Sequence, residues 1–219
     1  VVAVVAIAAI IAVVVAGGGS NSSTPTRAST VPVPASELDE RIPEVLRRQV
    51  RPVEIIGSPL PPYTPGAPDP ALGMVPPVLI GEDGTGYVHT ISPDIDGPVL
   101  LVFLAHWCPA CNQELPILSQ LGNQGIIGDG LKVYAVLTAL DPSRPGFPPI
   151  DWLTGADWPF EYVVDLPDMD RNGEWIAADA FGLTSFPFAV LIDNGVVVDR
   201  WSGVSETNEL LARLAAVGS

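Results

Sequence analysis

Cys108 and Cys111 are the only cysteines among the 219 residues, and both lie in "LAHWCPACNQELP", residues 104–116. At this spacing two thiols can exchange with a disulfide, share a metal ion, or close a small permanent loop. Exchange needs one sulfur available as a thiolate and a second close enough to attack the mixed disulfide formed by the first. A metal needs three or four ligands. His106, Cys108 and Cys111 are three candidates for copper or zinc, with His89 or a carboxylate as the fourth. A permanent Cys108–Cys111 bridge would constrain little of the unfolded chain, because the loop it closes is so short.

The flanking sequence positions the pair. "PVLLVFLA" (98–105) is a continuous apolar run, as expected of a central strand buried on both faces. Residues 109–121 read as a helix with Leu115, Leu118 and Leu121 along one side. Cys108 therefore falls at a strand-to-helix junction, where unpaired backbone N–H groups and the helix dipole favour negative charge. That predicts Cys108 as the nucleophilic thiolate, with Cys111 one helical turn later as the resolving thiol. Pro109 suits a first helical turn, where no N–H is needed, and Trp107 offers an apolar flank to the thiol.

The remaining pattern is alternating strands and helices. "VLI" and "GYVHT" read as a hairpin around Glu82-Asp83-Gly84, and "LKVYAVLT" (131–138) as a second buried strand. Residues 141–160 look like an insertion with a short helix near 150–153, and Trp152 and Trp158 read as its packing. "EYVVD" (161–165) is a short strand, followed by a helix near 172–181. "PFAVLID" and "VVVDRWS" form a hairpin across Asn194-Gly195, a strong tight-turn pair. A helix over 205–217 closes the chain, with Leu210, Leu211, Leu214 and Val217 inward. The sum is one α/β domain, a mixed sheet with helices on both faces.

"WCPAC" followed by "NQELP" resembles the active site of thioredoxin-fold thiol-disulfide oxidoreductases, and most closely the membrane-tethered, extracytoplasmic TlpA/ResA-like branch. "FGLTSFPFAVLIDNG" (181–195) is similar to the segment that ends in that family's cis-proline, here Pro187 after Phe186. The resemblance covers residues 78–219. It implies a thioredoxin-like domain whose redox-active Cys108–Cys111 disulfide is the only cofactor, with no metal. Pro187 and Phe186 would shape the groove for protein thiol and disulfide substrates. It also implies a membrane electron donor and reductive tasks such as cytochrome c maturation. Classical thioredoxins carry a buried Asp six residues before the first cysteine, where this chain has Val102. Glu114, one turn after Cys111, is then the candidate for proton relay, with an exposed helix carboxylate as the alternative. His106 is expected to tune the thiol or end the strand at the surface. Phe188 replaces the small or polar residue that often follows the cis-proline, and reads as core packing. A copper- or haem-pathway metallochaperone of the same fold, using His106, Cys108 and Cys111, is the competing function.

Charge excludes other classes. The formal net charge is −15, and from Val78 onward 19 acidic residues face 5 basic ones. Such a field repels nucleic-acid phosphates, so nucleic acid is not a partner. "DLPDMDRNGE" (165–174) has some calcium-loop spacing but lacks the full pattern, and reads as a solvated turn. "LVFLAHW" has no Thr or Ser to hold a peroxide, which argues against a peroxidase.

Residues 1–16, "VVAVVAIAAIIAVVVA", carry no polar side chain and would span about 24 Å as a helix. They are expected to be a single-pass membrane anchor entered part-way along, with a signal-peptide core as the alternative. Residues 17–36 read as a flexible tether. Residues 37–77 read as a short helix, a possible edge strand at "VEII" (53–56), and a Pro-rich wrap with eight prolines in 57–77. The domain would then lie outside the cytoplasm, held to the cell membrane.

Overall fold

Residues 99–104 place six apolar side chains in succession, and all six are buried in strand β4, Val99–Leu104. The computed structural model describes residues 52–168 and 174–217. Within it β4 is the middle of a five-stranded sheet in the order β10-β9-β4-β5-β6. β5 (Lys132–Leu137) and β6 (Glu161–Val164) run parallel to β4, whereas β9 (Phe188–Asp193) pairs antiparallel with β4 and with β10 (Val196–Ser202). The β9–β10 turn is Asn194-Gly195, both at positive φ (49° and 79°), as the sequence predicts.

Alternation along β4 divides the core in two. Leu100, Val102 and Leu104 pack with Cys108 and Cys111, with Leu115, Leu118 and Leu121 of helix α1 (Pro109–Asn123), and with Leu153 of α2 (Pro149–Gly155). Leu210 of α4 (Thr207–Leu214) completes that layer, and Leu211, Leu214 and Val217 lie half-buried against it. Val99, Leu101 and Phe103 face the other way, toward Phe181, Phe188 and the alanines of α3 (Ile176–Ala180). A strand buried on both faces needs apolar residues at every position, and "VLLVFL" supplies them.

The structure differs from the sequence reading in two places. The hairpin of β2 (Val78–Glu82) and β3 (Val88–Ile91) does not join the main sheet. With β1 (Glu54–Ile56) at its edge it forms a separate antiparallel sheet, β1-β2-β3. This sheet packs tightly beside β6, since a Cβ on Gly81 would lie 3.2 Å from Val163 and 3.1 Å from Val53. The helix expected near 172–181 is confined to Ile176–Ala180. The Asp165 carboxylate accepts the N–H groups of Ala177 (2.9 Å) and Ala178 (3.2 Å), which fixes where the helix begins. Just before it, β7 (Pro167–Asp168) and β8 (Glu174–Trp175) form a minimal antiparallel pair.

The Pro-rich stretch carries no regular structure after β1, yet it is bonded to the domain throughout. Leu60 N–H donates to Ala180 O (2.8 Å), Tyr63 N–H to Gly182 O (2.9 Å), and Gly73 N–H to Val197 O (2.8 Å). Gly182 has φ +75°, and a Cβ there would stand 2.3 Å from Pro61 O, so the passage admits only glycine. Arg200 locks the crossing. Its guanidinium pairs with both oxygens of Asp69 and donates to Pro61 O (2.9 Å) and Phe181 O (3.0 Å). No described helix is long and apolar enough to cross a membrane. The expected anchor (1–16), tether (17–36) and helix near 36–50 lie outside the described residues, as do residues 169–173 of the acidic segment.

Candidate active site

Cys108 is the N-cap of α1, in extended conformation (φ −75°, ψ 122°), and Pro109 opens the helix. Its carbonyl accepts the Asn112 N–H at 3.0 Å, the first helical bond, and its own N–H donates to Ala105 O at 3.0 Å. The strand-to-helix junction expected from the sequence is therefore formed. Its two cysteines are unbridged. They differ in access: Cys108 is 8 % exposed and Cys111 is 0 % exposed.

Cys111 lies in the apolar layer that also holds Val102, Ala189 and Trp201. Burial pushes its thiol well above the ordinary range, and the neighbouring Cys108 and Glu114 add to the rise. A single N–H, from Ala105 at 3.4 Å, points at the sulfur and works in the opposite direction. In the reduced pair Cys111 is thus the protonated thiol.

Glu114 is buried rather than an exposed helix carboxylate. Its Oε2 accepts the Ser205 N–H at 2.8 Å, and the Ser205 hydroxyl accepts the Trp201 indole N–H at 2.9 Å. Burial raises the Glu114 carboxyl above its usual range, only partly offset by Ser205. The chain thus holds a buried carboxyl on the Cys111 side of the sheet although Val102 stands at the position where classical thioredoxins have Asp.

His106 is buried and turned into the insertion. Nδ1 donates to Pro145 O (2.8 Å) and Nε2 accepts the Asp141 N–H (3.2 Å). Because one partner can only accept and the other can only donate, the geometry assigns the Nδ1–H tautomer. Both ring nitrogens are committed to the backbone. Among the described residues no group of three His, Cys, Asp or Glu is arranged to hold a metal ion. His89 stands elsewhere, between Asp83 (3.5 Å) and Glu161 (3.3 Å), at the opposite end of β6 from the strand ends that lead to the cysteines.

The apolar rim comes from three segments. Trp107 is fixed by its indole N–H to Ala139 O (2.6 Å) and meets the Phe186 ring edge-on at 6.3 Å. The Phe186–Pro187 bond is cis, and Pro187 O accepts the Gly203 N–H at 2.9 Å. A second cis bond, Phe147–Pro148, lies in the insertion. Phe188 is core, as the sequence suggests: it is fully buried on the face opposite the cysteines, against Phe103 (5.9 Å) and Tyr63 (5.6 Å), because side chains alternate along β9.

Asn112 and Arg144 are site residues that the sequence alone does not single out. The Asn112 side-chain amide donates to Cys108 O (2.9 Å) and His106 O (3.2 Å), while its oxygen accepts the Trp152 indole N–H (2.8 Å). Its place four residues after Cys108 was the available signal. Arg144 lies over the Trp107 ring, 5.2 Å from the centroid, and nothing in the local sequence announces it.

No protein-family model and no curated protein matches the chain. Solved structures do. The thioredoxin domain of a thiol-disulfide oxidoreductase from Bacteroides vulgatus superposes with TM-score 0.51 and 22% identity, over 67% of this chain and 96% of that one. A thiol:disulfide interchange protein from Bacteroides sp. gives TM-score 0.49 and 22% identity, over 67% of this chain and 89% of its own. The chain folds as a thioredoxin, and that fold with a closely spaced cysteine pair at the head of α1 supports thiol-disulfide oxidoreductase activity.

Proposed function

We propose that the protein is an extracytoplasmic, membrane-anchored thiol-disulfide oxidoreductase of the TlpA/ResA-like kind, working as a reductant of protein disulfides. The observation that carries this reading is the unequal pair at the head of α1: Cys108 at the rim as N-cap, and Cys111 sealed one turn behind it. The apolar run 1–16 and the tether 17–36 support the anchor.

The Cys108 thiolate attacks one sulfur of a substrate disulfide. A Cys108–substrate S–S bond forms, the substrate's own S–S bond breaks, and the other substrate sulfur leaves as a thiolate that takes up a proton. Cys111 then attacks Cys108, forming the intramolecular disulfide and releasing the second substrate thiol. Two electrons and two protons pass from the dithiol to the substrate. Cys111 must lose its proton for that second step, and the buried Glu114, whose charge acts on the Cys111 thiol, is the residue to accept it. Phe186, Pro187 and Trp107 form the apolar groove, and His106 shapes the site through the insertion that it pins. A dithiol protein in or at the membrane would restore the reduced pair. Cytochrome c maturation or a related thiol reduction is the task that such a reductant fits.

Insulin reduction with dithiothreitol as the recycling reductant tests the assignment. The unaltered protein turns over and Cys108→Ser does not; undiminished turnover by Cys108→Ser would sink it. A Cys108/Cys111 potential well below that of glutathione is the result expected of a reductant.

A further inference from the structure

We infer that Arg144 makes the site selective for disulfides with an acidic residue beside the target cysteine; this deepens the oxidoreductase reading and rests on it. The described residues contain four cations: Lys132, Arg144, Arg200 and Arg213. Three are committed elsewhere. Arg200 is buried against Asp69, Arg213 is paired with Asp199 and Glu209, and Lys132 donates to Asp96 O at the far end of β5. Arg144 is the described cation at the cysteine end of the sheet. Its guanidinium lies over Trp107, the residue immediately before Cys108.

Arg144 is also available. Its side chain is 58 % exposed, and its contact with Asp141, itself 40 % exposed, runs from Nε to Oδ2 at 3.4 Å. A solvent-exposed ion pair of this kind is weak, so a substrate carboxylate can share or displace it. Stacking on the ring holds the planar guanidinium in place, and the indole is itself anchored to Ala139 O. The loop cannot easily drift, because His106 holds it on both sides of Arg144, at Asp141 and at Pro145. A polypeptide laid across Cys108 and Phe186–Pro187 would pass this cation. Elsewhere the acidic surface repels such a substrate, so a single positive point beside the nucleophile discriminates by register: it favours an Asp or Glu next to the reacting cysteine over one further away.

The test uses two disulfide-linked peptide dimers, identical except for Glu or Gln beside the cysteine, and the second-order rate at which the reduced full chain attacks each. The readout is the Glu-to-Gln rate ratio. Arg144→Gln is expected to lower it about two- to five-fold, the range of an exposed ion pair. Arg144→Lys should largely preserve it. Asp141→Asn, which keeps an oxygen for Ser143 but removes the competing charge, should raise it, and 0.5 M salt should level all four proteins. A ratio unmoved by Arg144→Gln overturns the inference, including the case where both rates fall together because Trp107 has lost its packing. Failure of the unaltered chain to react with either peptide overturns the exchange chemistry itself, and this inference with it.

Discussion

Trp152, in the insertion, donates its indole N–H to the side-chain oxygen of Asn112 at 2.8 Å, while the same amide's nitrogen reaches the carbonyl of Cys108 at 2.9 Å. The insertion is thereby tied to the first turn of the helix that bears the thiols. The Trp152 bond is solvent-exposed and those to Cys108 O and His106 O are half-buried, so water replaces much of what a mutation removes. Asn112→Ala should cost about 1 kcal/mol and Trp152→Phe less than that, read from urea midpoints. Asn112→Ala should also change the alkylation rate of Cys108, since it frees both Cys108 O and His106 O.

The two cysteines should label unequally. Cys108 reaches the surface, whereas Cys111 is enclosed and its thiol is held protonated. Iodoacetamide should modify Cys108 at least about ten-fold faster than Cys111, because only an accessible thiolate reacts. Mass spectrometry of briefly treated, reduced protein gives the ratio. Comparable labelling of both would contradict the sealed position of Cys111.

Glu114→Gln separates the two half-reactions. The first attack depends on Cys108, whereas release needs a base for Cys111. The variant should release substrate about 10²-fold more slowly, the lower end of what general-base catalysis contributes. A trapped Cys108–substrate adduct should therefore accumulate in quenched-flow samples. An unchanged release rate with unchanged pH dependence would leave Glu114 as a structural partner of Ser205 only.

Asp165 makes stability depend on pH. Its carboxyl is buried and pushed up to about 7 by desolvation, although Ala177, Thr138 and Ala178 donate to it. A carboxyl raised on folding stabilises the fold below the unfolded value of about 4, and that contribution is lost as pH rises toward 7. Urea midpoints should accordingly fall across this window. Asp165→Asn, although less stable at low pH, should show a flatter profile.

Asp69 has the opposite sign. Its hydrogen bond to Arg200 holds it below the usual carboxylate range, so its contribution is present above about pH 4 and disappears as acid protonates it. The two side chains are 8 % and 0 % exposed. Removing one partner strands a buried charge, so Asp69→Ala should cost about 3–5 kcal/mol. Chemical denaturation at pH 7 measures that loss.

What could be read from the sequence was local. Six apolar residues in a row announced β4, Asn194-Gly195 announced the β9–β10 turn, and the Trp-Cys-Pro-Ala-Cys run located the helix start. The fates of polar side chains were not legible, because distant partners decide them. Glu114 is buried on account of Ser205, 91 positions away, and His106 turns from the thiols toward Pro145, 39 positions away. Phe188, by contrast, was legible as core, and alternation along β9 puts it on the face opposite the cysteines.

The Arg200–Asp69 clasp also bears on where this protein can be cut. Expression beginning at Val78, where the strand-helix pattern starts, would discard Asp69, the acceptor at Pro61 O and the β1 edge together. Arg200 would keep its place beneath Phe188 with its counter-charge gone. A piece that keeps these contacts begins no later than Val53, so the proline-rich span belongs with the folding unit and is not a spacer.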